Sequence, residues 1–349
     1  MVPRRQVAAR RRARWDAHAA LAAQTRGTSE PIATGDINPA WSFWLDTSIA
    51  SDGRIAFAGS YSKHPTELYA VAATGGEPER YSDLNGEIAG RELGNVSVIS
   101  WENEGFTENG VLTYPPRYVA GKRYPLVLYV HGGPQAASTT AFGFFAQALA
   151  AHGWLVFEPN YRGSDNSGNT FERAIYMDAG AGPGRDVMAG VAAVEKLGIV
   201  DPSRIAVSGW SYGGYMTSWL MTHYHLWRTA ISGAAVNDFV AMYDLGDANY
   251  QIGFNFKGSP YVGNNMRDYI AQSPLTYAAQ TKCPVLVISD VGDVRVPIAQ
   301  SFSMYHALAD NHIPVRFVGI PVDGHYPGDP VRQRDLLALW SSWLSDHLK

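Results

Sequence analysis

The sequence has one cysteine in 349 residues, Cys283, so no disulfide can form within the chain and the redox compartment cannot be read from it. No apolar run approaches the about 18 residues that a membrane-spanning helix needs, and the first residues hold no apolar core of a secretory leader. Those two absences favour a cytoplasmic protein without a membrane partner, or a periplasmic or secreted one if the chain is truncated at its N-terminus. A large charge surplus is also missing, the net charge being −4. The charge is uneven, however: the first 26 residues hold seven arginines and one acid, Asp16, which leaves the remainder at −10. A body that acidic argues against nucleic acid as a partner. Ligand spacing for a metal is lacking as well. His223 and His225 are the only close histidine pair, and neither cysteine nor a spaced carboxylate completes a set. No metal and no other cofactor is expected.

What is present divides the chain into three parts. Residues 1–39 begin as an Arg- and Ala-rich arm, expected to be disordered, although an acid-poor composition of this kind also marks organelle transit peptides. Residues 40–113 read as all-β: Ser51-Asp52-Gly53 turns before Arg54-Ile-Ala-Phe-Ala, Glu67-Leu-Tyr-Ala-Val-Ala comes next, and Val96 to Trp101 alternates. So few residues cannot close a propeller, which takes at least about four blades of roughly 40 residues, so this part is expected to pack on the domain C-terminal to it or to belong to something that has been lost. From 114 to 349 the pattern changes to short apolar runs alternating with helical periodicity. Strands are expected at 124–130, 154–157, 204–208, 229–233, 284–289 and 314–319, with helices at 186–197, 212–224, 298–310 and 330–348. Apolar strands alternating with helices describe a mostly parallel sheet covered on both faces, an α/β fold.

One stretch organises that third part. Arg204 to Val207 leads into Gly209-Trp210-Ser211-Tyr212-Gly213 and then a helical pattern. A strand, a sharp turn and a helix around a central serine hold that hydroxyl strained and exposed, and the two glycines remove side chains that would collide there. A serine hydroxyl needs a base, and the base an orienting acid, which in this kind of sheet come in the order Ser, Asp or Glu, His. Of the later histidines, His306 falls in a helix, His312 in the turn after it and His347 at the C-terminus, leaving His325 in a loop just past a strand. The acid lies after the strand ending near Ser289, where Asp290 and Asp293 both qualify. Asp293 is preferred because Gly292 permits a turn and Arg295 or Val296 can fix the loop. A tetrahedral oxyanion needs two donors. One is expected from the Tyr212 amide, the other from the loop His131-Gly132-Gly133-Pro134, at Gly133 with Gly132 as an alternative. His131 is expected to be structural. Arg162 is a candidate for pairing with a substrate carboxylate or for a buried ion pair, and Tyr243 and Tyr250 for the border of an acyl pocket.

Five ordered motifs then carry a family resemblance: His131-Gly-Gly-Pro, Asn160-Tyr-Arg-Gly-Ser164, Gly209-Trp-Ser-Tyr-Gly-Gly-Tyr215, Asp293-Val-Arg-Val-Pro297 with Gln300-Ser301, and Gly324-His325. Over residues 115–349 the chain resembles the catalytic domain of the prolyl oligopeptidase family of serine peptidases, in its acylaminoacyl-peptidase and dipeptidyl-peptidase-like branches. The resemblance implies an α/β-hydrolase fold, the triad Ser211, Asp293 and His325, and short peptides or acyl-peptides as substrates. Residues 48–113 resemble the last propeller blade preceding that domain. There are two departures: Ser289-Asp290 stand where many members have His-Gly, and the chain is too short for a full N-terminal propeller. A carboxylesterase using the same triad, and a truncated, non-enzymatic fragment, are the competing expectations.

Overall fold

In the computed structural model the described residues are 8–9, 19–23, 30–42, 44–45, 47–165 and 167–349. Most of the arm expected to be disordered lies outside them. Within it, three short strands at Ala8–Ala9, Ala19–Ala23 and Glu30–Ala33 pair antiparallel. Two longer strands, β1 (Ile55–Tyr61) and β2 (His64–Val71), form an antiparallel hairpin. Their inward residues Ile55, Phe57, Tyr69 and Val71 bury a small core with Ile32. The short strands Asn38–Pro39, Thr47–Ile49 and Glu79–Arg80 complete this sheet.

The large sheet has eight strands: β3 (Val96–Asn103), β4 (Phe106–Thr113), β5 (Tyr124–Val130), β6 (Leu155–Asn160), β7 (Val200–Trp210), β8 (Thr229–Gly233), β9 (Val285–Gly292) and β10 (Val315–Asp323). Their spatial order is β3-β4-β6-β5-β7-β8-β9-β10, with β4 antiparallel to both of its neighbours, β3 and β6, and the remaining pairs parallel. The sheet corrects one boundary. The segment 96–113, expected in the N-terminal β part, belongs here, because β4 pairs directly with β6. The physical reason is burial on both faces: Glu108 to Thr113 are all buried, and Trp101 of β3 packs edge-on against Phe157 of β6.

Side chains alternate between two cores. Leu126, Leu128 and Val130 of β5 face one that includes α1 (Ala181–Glu195), α2 (Tyr212–His223) and α3 (Ala299–Asp310). Val127 faces the other, covered by Phe144–Ala150 and by α4 (Pro330–His347), whose Leu336, Trp340 and Leu344 point inward. Both faces are sealed, so the parallel strands are apolar throughout their middles. Between β8 and β9 the chain makes short helices at Phe239–Leu245, Asn249–Asn255 and Asn265–Ala271, where no helix was expected. Among the described residues no helix is long and apolar enough to cross a membrane.

Candidate active site

The site forms at the carboxyl edge of the parallel strands. There β7 ends at Trp210, Ser211 takes φ +62° and ψ −122°, and α2 starts at Tyr212. A non-glycine residue in that conformation is strained, and only a tightly determined surrounding holds it. Gly213 supplies part of that surrounding, since a Cβ on it would overlap the carbonyl oxygen of Val130 at the end of β5. Gly213→Ala is therefore expected to cost about 3 kcal/mol of stability. A thermal melt checks this, and an unchanged midpoint would contradict the close approach.

His325 comes after β10 and Gly324, which has φ +106°. Its Nε2 lies 2.7 Å from Ser211 Oγ and its Nδ1 2.6 Å from Asp293 Oδ2. The other carboxylate oxygen of Asp293 accepts the amides of Arg295 at 2.8 Å and Val296 at 2.9 Å. These are the groups that the sequence offered for fixing the loop. The Asp293 side chain is fully buried and that of His325 is 28% exposed, so the imidazole meets both the interior and solvent. Trp210 Nε1 donates to the His325 carbonyl at 2.7 Å, tying the histidine loop to the serine turn. Trp210→Phe removes that tie while keeping an aromatic ring. Turnover is expected to fall roughly tenfold with KM little changed, the worth of one buried hydrogen bond. Steady-state kinetics separate the two constants.

The glycine loop after β5 lies beside the serine. A Cβ on Gly132 would come within 3.2 Å of Ser211 Cβ and 3.0 Å of the Trp210 carbonyl oxygen, so this loop passes backbone-close. Gly133 has φ +126°, a conformation that favours glycine. His131 anchors the loop from beneath. Its Nε2 is 2.9 Å from Ser164 Oγ, its Nδ1 is 2.8 Å from the Gly132 carbonyl, and Tyr161 donates its hydroxyl to the His131 carbonyl at 2.7 Å. Burial lowers His131 to about 4, so it stays neutral and donates to one partner while accepting from the other.

Arg162 is 7% exposed. Its Nε and Nη2 donate to Asp186 at 2.7 and 2.6 Å, and Nη2 also reaches Glu104 at 2.7 Å. Of its two expected roles the structure places it in the buried ion pair, its guanidinium already engaged. Asp186 also accepts the Arg162 amide at 2.8 Å, so it shapes the whole 160–164 loop. Sequence reasoning missed Asp186, whose only signal is an acid within a helix pattern, and its neighbour Glu108, which burial and then Asp186 push up to about 8. Tyr243 and Tyr250 fall in the helical insertion. Tyr243 is half-buried against Tyr261 and Tyr269, and Tyr250 is 72% exposed. The insertion is joined to the acid loop by Arg295, which donates to Asp247 at 2.5 Å.

A doubly covered parallel sheet with a strained serine at one strand end, joined through histidine to a buried aspartate, defines the α/β-hydrolase fold. Residues 140–349 match the model of the prolyl oligopeptidase family, and the chain belongs to that family. It is 29% identical to the uncharacterized peptidase YuxL of Bacillus subtilis over 84% of this chain and 45% of that protein. It is 28% identical to the acylamino-acid-releasing enzyme of Mus musculus over 68% of this chain and 33% of that one. The fold matches an acylaminoacyl peptidase of Pyrococcus horikoshii with a TM-score of 0.84 at 24% identity, covering 96% of this chain and 53% of that one. The chain thus spans about half the length, or less, of the relatives it matches.

Proposed function

We propose that this chain is the catalytic unit of a serine peptidase that hydrolyses peptide or acyl-peptide bonds of short peptides through an acyl-enzyme. The observation that carries the proposal is His325 bridging Ser211 and Asp293 at 2.7 and 2.6 Å. His325 Nε2 takes the proton of Ser211 as Oγ attacks the substrate carbonyl carbon, and Asp293 stabilises the imidazolium that forms. The amides of Tyr212 and Gly133 are assigned to the oxyanion, in line with their places at the head of α2 and in the close glycine loop. Collapse of the tetrahedral intermediate breaks the C–N bond, and the imidazolium returns its proton to the leaving amine. Water, deprotonated by the same imidazole, then attacks the ester carbon and releases Ser211.

The names of the relatives support peptide substrates, and the hairpin of β1 and β2 is consistent with a final propeller blade on the N-terminal side. Peptide anilides are set beside p-nitrophenyl esters, with a fluorophosphonate probe reporting on Ser211. The expected result is probe labelling, lost in Ser211→Ala, together with turnover of both substrate types. Ester turnover without any anilide turnover would make the chain a carboxylesterase. Folded protein that leaves the probe unreacted would end the hydrolase reading.

A further inference from the structure

One carboxyl group beside the triad has no part in that mechanism and, among the described residues, no hydrogen-bond partner. Asp290 sits near the end of β9, three residues before Asp293 and paired in register with Ile320 of β10. It is 0% exposed. Strand alternation puts it on the same face as Leu286 and Ile288, the face that Trp340 and Leu336 of α4 cover. Among the described residues neither of its carboxylate oxygens has a hydrogen-bond partner. Buried polar side chains are nearly always paired, and an isolated carboxylate in such a place is costly while it is ionised.

The titratable groups that bear on Asp290 belong to the catalytic machinery. Asp293 opposes its ionisation and His325 favours it. Tyr326, next to the histidine, is held up by burial and then by the Asp290 charge, and beyond it lie Tyr129 and Glu158. Burial first, and Asp293 second, push Asp290 up to about 7. Glu158 is pushed to about 7 by burial. Only a comparison that changes position 290 alone separates these two carboxyls.

We propose that Asp290 is a second carboxylate acting on the reaction through His325, a positioning residue whose ionisation stabilises the imidazolium formed as Ser211 gives up its proton. At low pH it is a neutral acid, and Asp293 alone steadies the imidazolium. As pH rises Asp290 loses its proton to solvent, and a second negative charge then favours the proton transfer. Reactivity of Ser211 therefore carries a component that rises as Asp290 ionises. The proposal rests on the hydrolase reading above.

The test is the second-order rate of Ser211 labelling by a fluorophosphonate across pH, for wild type and Asp290→Asn. The ratio of wild-type to variant rate is expected to stay near 1 at about pH 5.5 and to reach about three- to tenfold at about pH 8.5, a fraction of the effect of one close opposite charge. A ratio that does not change with pH overturns the proposal, because a merely structural defect slows the variant equally everywhere. Wild type that labels at no pH removes the hydrolase reading itself, a separate outcome. Melting supplies a second readout. Asp290 has a folded-state value above its unfolded one, so the stability it contributes is present at low pH and lost as pH rises through about 7. Asp290→Asn is accordingly expected to gain in melting temperature over wild type from about pH 4 to about pH 7 and to keep that gain above it. A difference independent of pH overturns the premise. Asp290→Ala carries the same two comparisons if the amide variant does not accumulate.

Discussion

Ser211→Ala is expected to lower kcat by about 10⁶-fold on a peptide anilide while leaving the fold intact. The two effects part because alanine keeps the Cβ and the backbone of the serine. The turn at φ +62° and the contact between Ser211 Cβ and the Gly132 loop do not depend on Oγ. What is lost is the nucleophile and its hydrogen bond to His325 Nε2 at 2.7 Å. Because the His325 side chain is 28% exposed, water can take the vacated place on the imidazole. Stability should then change by no more than about 0.5 kcal/mol. The residual rate comes from oxyanion stabilisation and binding, about 10³- to 10⁴-fold over water. Adding His325→Ala to this variant should cost almost nothing further, since the two side chains act as one unit. Activity within tenfold of wild type, after active-site titration excludes contamination, would remove Ser211 from the chemistry.

The serine turn was legible because its requirements are local. An apolar β-branched run, two glycines around Ser211 and a helical pattern after it leave few other structures open. His325 was legible by elimination, as the one late histidine lying between a strand and a helix. Its acid was less so, since Asp290 and Asp293 both follow the apolar run that ends near Ser289 and differ by three positions. The structure separates them through backbone amides: those of Arg295 and Val296 converge on Asp293, whereas Asp290 stays on the strand with its side chain among apolar neighbours. Which amides a loop presents is a matter of its turn geometry, and residue types say little about that.

Other features were hidden because their partners lie far apart along the chain. Alternation marked Val96 to Trp101 as a strand, but strand periodicity carries no address. Only the pairing of Leu112 with Phe157 shows to which sheet this part of the chain belongs. Arg162 was open between two roles until its partner Asp186 appeared, 24 residues away across a helix connection. The helices between β8 and β9 are about two turns each, too short for periodicity to stand out. Packing on one another and on the acid loop holds them, through contacts such as Phe239 on Phe256 and Arg295 with Asp247.

Asp293→Asn tests whether the acid works through charge and tautomer rather than through shape, and a loss of about 10⁴-fold in kcat is expected. The size of the group barely changes, and the two loop amides decide how the new side chain must sit. Arg295 and Val296 both donate to the Oδ1 position, so the asparagine has to offer its carbonyl oxygen there. Its NH₂ then faces His325 Nδ1, where a carboxylate oxygen had accepted at 2.6 Å. Nδ1 is forced to accept, the ring proton moves to Nε2, and Nε2 can no longer take the proton of Ser211. Turning the amide over restores the tautomer only by setting the NH₂ against two N–H donors in a fully buried place, which leaves three donors without an acceptor. The defect should therefore weaken at high pH, where the imidazole tautomers exchange by way of base and the serine ionises unaided, but not below neutrality. Asp293→Glu, which keeps the charge and misplaces it, should lose less than the amide does if charge is the larger part. A kcat for the amide within about tenfold of wild type near neutral pH would mean that the histidine draws its orientation from elsewhere, the tie from Trp210 to its carbonyl and the contact with Ser211 Oγ being the other hydrogen bonds described for it.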